Sequence, residues 1–295
     1  FWIYLLKIYS TIKNIGIITS GGDSPGMNAA LRSVVRSANF HSLNCIGFYR
    51  GYQGIIENDF KLLKMRSVSN ILELGGTILR SMRSLDFHNA EIRKKAYDNL
   101  MSHNIDALIV IGGNGSITGA NIFSQQFDFP CIGIPASIDN DIYGTDYSIG
   151  FQTALQTIVE SVDKIRDTAR SHNRLFFVEV MGRDNGNLAL YSAIASGACF
   201  VIIPEKEFEI NNLAERLKFG ISVSKSSSVV IVAEGNNYGP SYKIADDLSE
   251  IFEEYESKVT ILGHLQRGGS PVVMDRLIAS RLGLSAVQAL VSKNY

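Results

Sequence analysis

The chain has 295 residues, 45% of them apolar, and a formal net charge of −1. That length and apolar content can bury a large core as two lobes, and the near-neutral charge gives no electrostatic basis for holding nucleic acid or an acidic membrane surface. Cys45, Cys131 and Cys199 are isolated, with no Cys-x-x-Cys pair, which argues against a disulfide framework or a zinc site and suits a reducing cytoplasm.

Taken in chain order, residues 1–12 (FWIYLLKIYSTI) are apolar, but the run is too short to span a bilayer and Lys7 interrupts it. No small-residue cleavage site follows, so the segment reads as an extension outside the core rather than a signal peptide. Beyond it, short Val/Ile/Leu-rich runs at 15–19, 107–111, 130–134, 175–180, 200–203, 229–233 and 259–262 predict strands. Their near-continuous apolarity fits parallel strands covered on both faces. Between them lie helical segments. From 152 to 170, Leu155, Ile158, Val159, Val162 and Ile165 recur on one face. The alternation predicts an α/β fold: two lobes of parallel-rich sheets flanked by helices. The polar, glycine-containing stretch before Gly150 marks the change of lobe. The expected division is 13–149 with 265–295 in a larger lobe and 150–264 in a smaller one.

Chemistry concentrates where the strands end. Strand 15–19 runs into Ser20-Gly21-Gly22-Asp23-Ser24-Pro25-Gly26 and a helix from about Met27; strand 107–111 runs into Gly112-Gly113-Asn114-Gly115-Ser116 and another helix. Glycines there let backbone approach a ligand, and the helix starts offer free N–H groups to an anion. A glycine at a tight strand-to-helix turn is common in any fold, but two double-glycine turns in one lobe point to a polyphosphate. The strand 130–134 ends in Ser137-Ile138-Asp139-Asn140-Asp141, two carboxylates suited to a base and a metal- or phosphate-positioning partner. In the second lobe, Arg174, Arg183, His264 and Arg267 lie at or near strand ends and read as a clamp for a second phosphorylated group. The pattern G-x-x-x-x-G-K-[ST] is absent, which excludes a P-loop enzyme. Gly113-Asn114-Gly115 with Gly119 loosely imitates a dinucleotide fingerprint, but an oxidoreductase leaves the acidic and basic turns unexplained.

The segments SGGDSPGMNAA, GGNGS, SIDND, MGRD and HLQRGGSP, in that order and across residues 13 to 291, resemble the signatures of the bacterial-type 6-phosphofructokinases. The resemblance implies two α/β lobes with the active site in the cleft between them. It implies transfer of the γ-phosphoryl group of ATP to the 1-hydroxyl of fructose 6-phosphate, with Mg2+, by a cytoplasmic homotetramer of glycolysis. By position, Asp139 is then the base, Ser137 stands where most members have Thr, and Asp141 helps hold metal or base. Arg83 and Arg183 neutralise the transferring phosphoryl group, and Gly22, Gly113, Asn114, Gly115 and Ser116 take the nucleotide phosphates and metal. Met181, Gly182, Arg183, Glu234, His264 and Arg267 hold the sugar phosphate, joined by Arg174 and Lys258 from a neighbouring subunit. An effector site between subunits takes Arg32, Arg36, Arg66, Arg166 and Lys225, although Cys199 stands where the family has a metal-binding Glu and Val223 where a basic residue is common.

Four positions depart from the family in an informative way. Pyrophosphate-using members carry Asp at the place of Gly115 and Lys at that of Ala136, so the small residues here favour ATP. Asn114 replaces a magnesium-associated Asp, and Lys258 replaces an arginine, keeping charge but losing the bidentate fork. These replacements keep open an alternative reading, a catalytically impaired subunit that binds ligands and assembles with an active paralogue.

Overall fold

The computed structural model describes residues 12–172, 174–222 and 228–295. The chain divides into two compact units. One comprises residues up to 137, 142–150 and 269–295; the other comprises 138–141 and 151–268. The turn carrying Asp139 and the residues through Gly268 therefore belong with the second unit, whereas the sequence boundaries assigned 138–141 and 265–268 to the first. Ile12 packs in the first unit's core, so the extension outside that core excludes it; residues 1–11 lie outside the described residues.

The first unit runs β1 (Asn14–Ser20), α1 (Met27–Phe40), β2 (Asn44–Phe48), α2 (Tyr52–Glu57), β3 (Phe60–Leu63), α3 (Ala90–Ser102), β4 (Ala107–Gly112), α4 (Asn114–Phe127) and β5 (Cys131–Pro135). Its sheet has the order β3-β2-β1-β4-β5, parallel except for β3. From β1 the chain builds outward through β2 to β3, then returns to place β4 on the other flank of β1. The reversal therefore falls between β1 and β4, and in open α/β sheets ligands bind outside the carboxyl ends of the strands at such a point. β2 and β3 escape the sequence reading. NCIGF is short and mixed in polarity, and FKLL is an antiparallel edge strand with three of its four residues exposed.

The second unit contains α5 (Phe151–His172), β6 (Arg174–Val180), α6 (Asn187–Ser196), β7 (Phe200–Ile202), α7 (Ile210–Ser222), β8 (Ser228–Ala233), α8 (Ser241–Ser249) and β9 (Glu256–Ile261). Its sheet is wholly parallel, order β7-β8-β6-β9. Here too β6 is a reversal point, with β8 on one side and β9 on the other. The long amphipathic α5 buries Ile158 and Val162 against Val178 and Val180 of β6, together with Ile231 of β8.

The chain then returns to the first unit as α9 (Val273–Val291), which packs along α1 and contributes Ala279, Ala286, Val287 and Leu290 to its core. Ser33 Oγ donates to the Ser280 carbonyl at 2.6 Å, and a buried Asp275 Oδ1 accepts the Gly150 N–H at 2.9 Å. This last bond ties the start of the returning helix to the segment that leads into α5. Asp275→Ala would leave a buried amide unsatisfied, so stability should fall by about 1–3 kcal/mol. Asp275→Asn, which keeps an acceptor, should lose less. Urea denaturation of both variants checks the order.

Candidate active site

In the first unit the two glycine turns lie side by side, because β1 and β4 are in parallel register with Ser20 opposite Gly112. The approach is so close that a Cβ on Gly112 would sit 2.5 Å from the Ser20 carbonyl oxygen and 2.8 Å from the Ser116 Cβ. Only glycine permits both turns. Tyr52, from α2, donates its hydroxyl to the Ser116 carbonyl at 2.6 Å and so anchors the first turn of α4. Ser116 itself is buried, while Gly22, Asn114 and Gly115 are exposed. A Cβ at Gly115 would meet nothing within 4 Å, so packing does not demand glycine there. Arg83 is also exposed, and Gly21 on the neighbouring turn donates its N–H to the Met82 carbonyl at 3.4 Å. The exposed start of α4 is a helix terminus of the kind that accepts anions.

Ala136 behaves differently from Gly115. It is 1% exposed and belongs to the hydrophobic core of the first unit. Its small size is set by packing, so of the two positions only Gly115 speaks for ligand room. Next to it, Ser137 donates its N–H to the Ile149 carbonyl at 3.1 Å, while its own carbonyl accepts from Ser148 Oγ at 2.6 Å.

The second unit holds the carboxylates. The Asp139–Asn140 turn is held by Asn187 at the start of α6, whose side-chain amide donates to the Asn140 carbonyl at 3.0 Å. Asn140 takes the left-handed conformation that asparagine tolerates well. Burial pushes the Asp139 carboxyl up to about 6, with the charges of Asp141 and Glu234 adding to the rise and those of Arg267 and Arg183 opposing it. The reversal point at β6 supplies those neighbours. After β6 comes the turn Met181-Gly182-Arg183, where the Arg183 N–H donates to Glu234 Oε1 at 3.0 Å. Gly235 lies hard against this turn, since a Cβ there would stand 1.7 Å from the Arg183 carbonyl oxygen. After β9 comes a 3-10 turn, Gly263–Arg267, with exposed His264 and half-buried Arg267. Between them Gln266 is fully buried; it accepts the Met181 N–H at 3.1 Å and donates to the Gly263 carbonyl at 2.9 Å. Gln266 thus locks the two basic turns together.

Met181, Gly182, Arg183, Glu234, His264, Arg267, Asp139 and Asp141 therefore share the carboxyl-end face of the second sheet. Arg174 and Lys258 do not. They sit at the amino ends of β6 and β9, where Arg174 Nε lies 2.7 Å and Lys258 Nζ 2.5 Å from the two oxygens of Glu256. Six residue steps of β6, about 20 Å, separate Arg174 from Val180, and Lys258, opposite Phe176, stands about 10 Å before the end of β9. One phosphate cannot be gripped from both ends of β6 within a chain, which corrects the grouping of Arg174 with Arg183, His264 and Arg267. Hydrogen bonds from Lys258 and Arg174 hold the exposed Glu256 carboxyl below the usual range.

The basic residues set aside for an effector are distributed between the units. Arg32 and Arg36 lie on α1, which packs against the 3-10 turn Met65–Val68 carrying Arg66; Arg166 lies on α5 in the second unit. Lys225 and Val223 fall outside the described residues. Cys199 Sγ donates to the Val229 carbonyl at 3.2 Å.

Gln266, Asn187, Tyr52 and Glu256 were not singled out by the sequence. Gln266 had a signal, its place between two basic residues in a glycine-rich turn. The others are placed by strand order alone.

Together these features define an α/β protein with paired glycine turns at adjacent strand ends in one unit and a raised carboxyl within the field of two guanidinium groups in the other. A family profile described as Phosphofructokinase matches residues 14–290. The ATP-dependent 6-phosphofructokinase 2 of Bacteroides thetaiotaomicron is 56% identical over 281 residues, 95% of this chain and 86% of its own. The ATP-dependent 6-phosphofructokinase of Cytophaga hutchinsonii is 49% identical over 280 residues, 95% of this chain and 85% of its own. Among solved structures, T-state phosphofructokinase from Pichia pastoris matches with a TM-score of 0.90 at 39% identity, covering 96% of this chain; this chain spans only 33% of that one. A pyrophosphate-dependent phosphofructokinase from Marinobacter aquaeolei shares the fold, with a TM-score of 0.84 at 23% identity, covering 96% of this chain and 76% of its own. The chain belongs to the phosphofructokinase family.

The raised Asp139 has a measurable consequence for stability. Its folded value of about 6 exceeds the ordinary 3.8, so between those values the folded state keeps a proton that the unfolded state has lost. Stability therefore falls as pH rises from roughly 4 through 6, by about 3 kcal/mol at most. Asp139→Asn should be more stable than the native chain at pH 7.5 and no more stable at pH 3.5. Denaturant midpoints at the two pH values read this directly.

Proposed function

We propose that this chain is an ATP-dependent 6-phosphofructokinase, transferring the γ-phosphoryl group of ATP to the 1-hydroxyl of fructose 6-phosphate to give fructose 1,6-bisphosphate and ADP. The observation that carries the reading is Asp139: a carboxyl raised to about 6 by burial, with Arg183 and Arg267 within its field. At neutral pH it is ionised and more basic than an ordinary aspartate, which suits a general base. The similarity to curated ATP-dependent relatives supports the substrates.

In this reading the amides around Gly22, Gly113 and Gly115, with Ser116 and Arg83, hold the nucleotide phosphates. Met181, Gly182, Glu234, His264 and Arg267 hold and orient the sugar phosphate. Asp139 takes the proton from the 1-hydroxyl, and Arg183 neutralises charge that develops on the transferring group. Such reactions ask the protein for alignment and charge neutralisation more than covalent chemistry. Gly115, open around its Cα, supports a nucleotide donor over pyrophosphate.

Family members use a divalent metal with ATP, and we take it to be Mg2+. Among the described residues no group of three or more His, Cys, Asp or Glu could hold a metal. Magnesium keeps several waters and takes one or two carboxylates plus substrate phosphates rather than an all-protein cage. Asn114, at the start of α4, is the oxygen donor we propose for it, and when bound it would supply charge neutralisation on the phosphates. The retained Asp139, Asp141, Arg83 and Arg183 favour a working enzyme over a ligand-binding subunit.

Arg174 and Lys258, at the far end of the second sheet, fit a site completed by a neighbouring copy, and we infer a homotetramer with shared substrate sites. Among the described residues no helix is long and apolar enough to cross a membrane. The kinship with phosphofructokinases is what supports our proposal of a cytoplasmic enzyme. Arg32, Arg36, Arg66, Arg166 and Lys225 are proposed as phosphate contacts of an effector site.

A coupled assay for fructose 1,6-bisphosphate with ATP, then with pyrophosphate, tests the function; product with neither donor would leave the impaired-subunit reading. Asp139→Asn should cut kcat by orders of magnitude with little change in affinity for fructose 6-phosphate. Native kcat should fall as pH drops through about 6, where Asp139 gains its proton and can no longer act as base. Asn114→Asp should lower the Mg2+ concentration needed for half-maximal rate, because a carboxylate adds Coulomb attraction that an amide lacks. An unchanged requirement in that variant would remove Asn114 from the metal site.

A further inference from the structure

We propose that Glu256 is a built-in competitor for the phosphate that Arg174 and Lys258 receive, a carboxylate standing in the anion's place that the incoming phosphate must displace. The inference rests on the shared-site reading above and adds a regulating residue to it.

Three observations meet at one spot. β6 and β9 are parallel with Arg174 opposite Glu256 and Phe176 opposite Lys258, so the three charged residues project from the same face of the sheet. Both cations converge on one carboxylate, each taking a different oxygen, at 2.7 Å and 2.5 Å. The carboxylate is also more than half exposed, with a side-chain relative exposure of 55%. Within the chain the carboxylate is held by these two cations and by no other ion pair among the described residues.

Charge arithmetic gives the arrangement its function. Two cations and one carboxylate leave a net charge of +1, whereas a phosphate monoester dianion neutralises both cations. A phosphate also offers three terminal oxygens, enough to satisfy the planar fork of Arg174 and the three donors of Lys258 at once. The resident carboxylate is displaceable because ion pairs at exposed sites gain little over solvated charges. It nevertheless sets a threshold. Weaker anions of single charge exchange one carboxylate for another and gain nothing, while a dianion gains the second charge. Glu256 thus screens for doubly charged phosphate and lowers apparent affinity for it. Because Arg174 begins β6 about 20 Å before the turn carrying Arg183 in the same chain, and Lys258 joins it on Glu256, the phosphate they meet is the one bound at a neighbouring copy's site.

The opposite role is the natural rival: Glu256 as a positioning residue that holds the two cations ready. The two roles differ in sign. The test uses the full chain in its assembled state and titrates inorganic phosphate, then fructose 6-phosphate, by calorimetry into the native protein, Glu256→Gln and Glu256→Asp. If Glu256 competes, Glu256→Gln binds both ligands roughly threefold to tenfold more tightly, and KM for fructose 6-phosphate falls by more than kcat changes. Adding Arg174→Gln to Glu256→Gln should erase the gain. If Glu256→Gln binds phosphate equally or more weakly, the inference is overturned. A gain that survives Arg174→Gln also overturns it, because the effect would then be general surface charge. The phosphate titration needs no turnover. Absence of fructose 1,6-bisphosphate formation by the native enzyme would therefore defeat the proposed activity while the titration still decides the role of Glu256.

Discussion

The site in the first unit depends on one constraint, the adjacency of β1 and β4 at the point where strand order reverses. Strands on either side of such a point send their following helices to opposite faces, which opens room beyond the carboxyl ends. The Ser20–Gly26 and Gly112–Ser116 turns occupy that room, and their separation leaves no space for a side chain at Gly112. Backbone amides and the start of α4 then point outward together. No single charged side chain defines this surface. It is built from peptide groups held by strand pairing, an arrangement that suits the proposed chain of phosphates without a lysine-bearing P-loop.

The second unit solves a different electrostatic problem. A base that must accept a proton near neutrality needs an affinity above that of a solvated aspartate, yet it must remain charged. At Asp139 burial and the neighbouring acids raise the affinity, and Arg267 with Arg183 limit the rise. The balance depends on turns from three strands, β6, β8 and β9. Gln266 couples two of these turns through backbone groups, and Glu234 couples the third through the Arg183 N–H. Arg183 and Arg267, which we propose as phosphoryl and sugar-phosphate contacts, therefore also limit the rise at the carboxyl we propose as base.

The two positions that bear on the phosphoryl donor differ in weight. Gly115 faces open space, so its identity is free to answer to the ligand, whereas Ala136 is part of the core and answers to packing. Asn114 is exposed at the first residue of α4, where the helix dipole favours an acid. An amide there gives up that interaction and, if the position meets a metal as proposed, the charge toward it.

Much of this molecule was legible in one dimension. Alternating apolar runs and helical periods mark seven of the strands, and the glycine and carboxylate turns stand at strand ends because strand, turn and helix start are local features set by neighbouring residues. The motifs SGGD, GGNG, SIDND and HLQRGG carried the family, and the profile across residues 14–290 agrees with them. Short β2 and exposed edge strand β3 were not legible, since their pairing comes from the sheet rather than from their own pattern. Nor was the fate of Arg174. In sequence it is simply another cation beside a strand, like Arg183, but the two lie at opposite ends of β6, and only β9 in parallel register sets Glu256 beside it. Sequence determined which residues end each element. Which ends share a face was decided by the order and direction of strands, because that order arises from contacts between segments scores of residues apart.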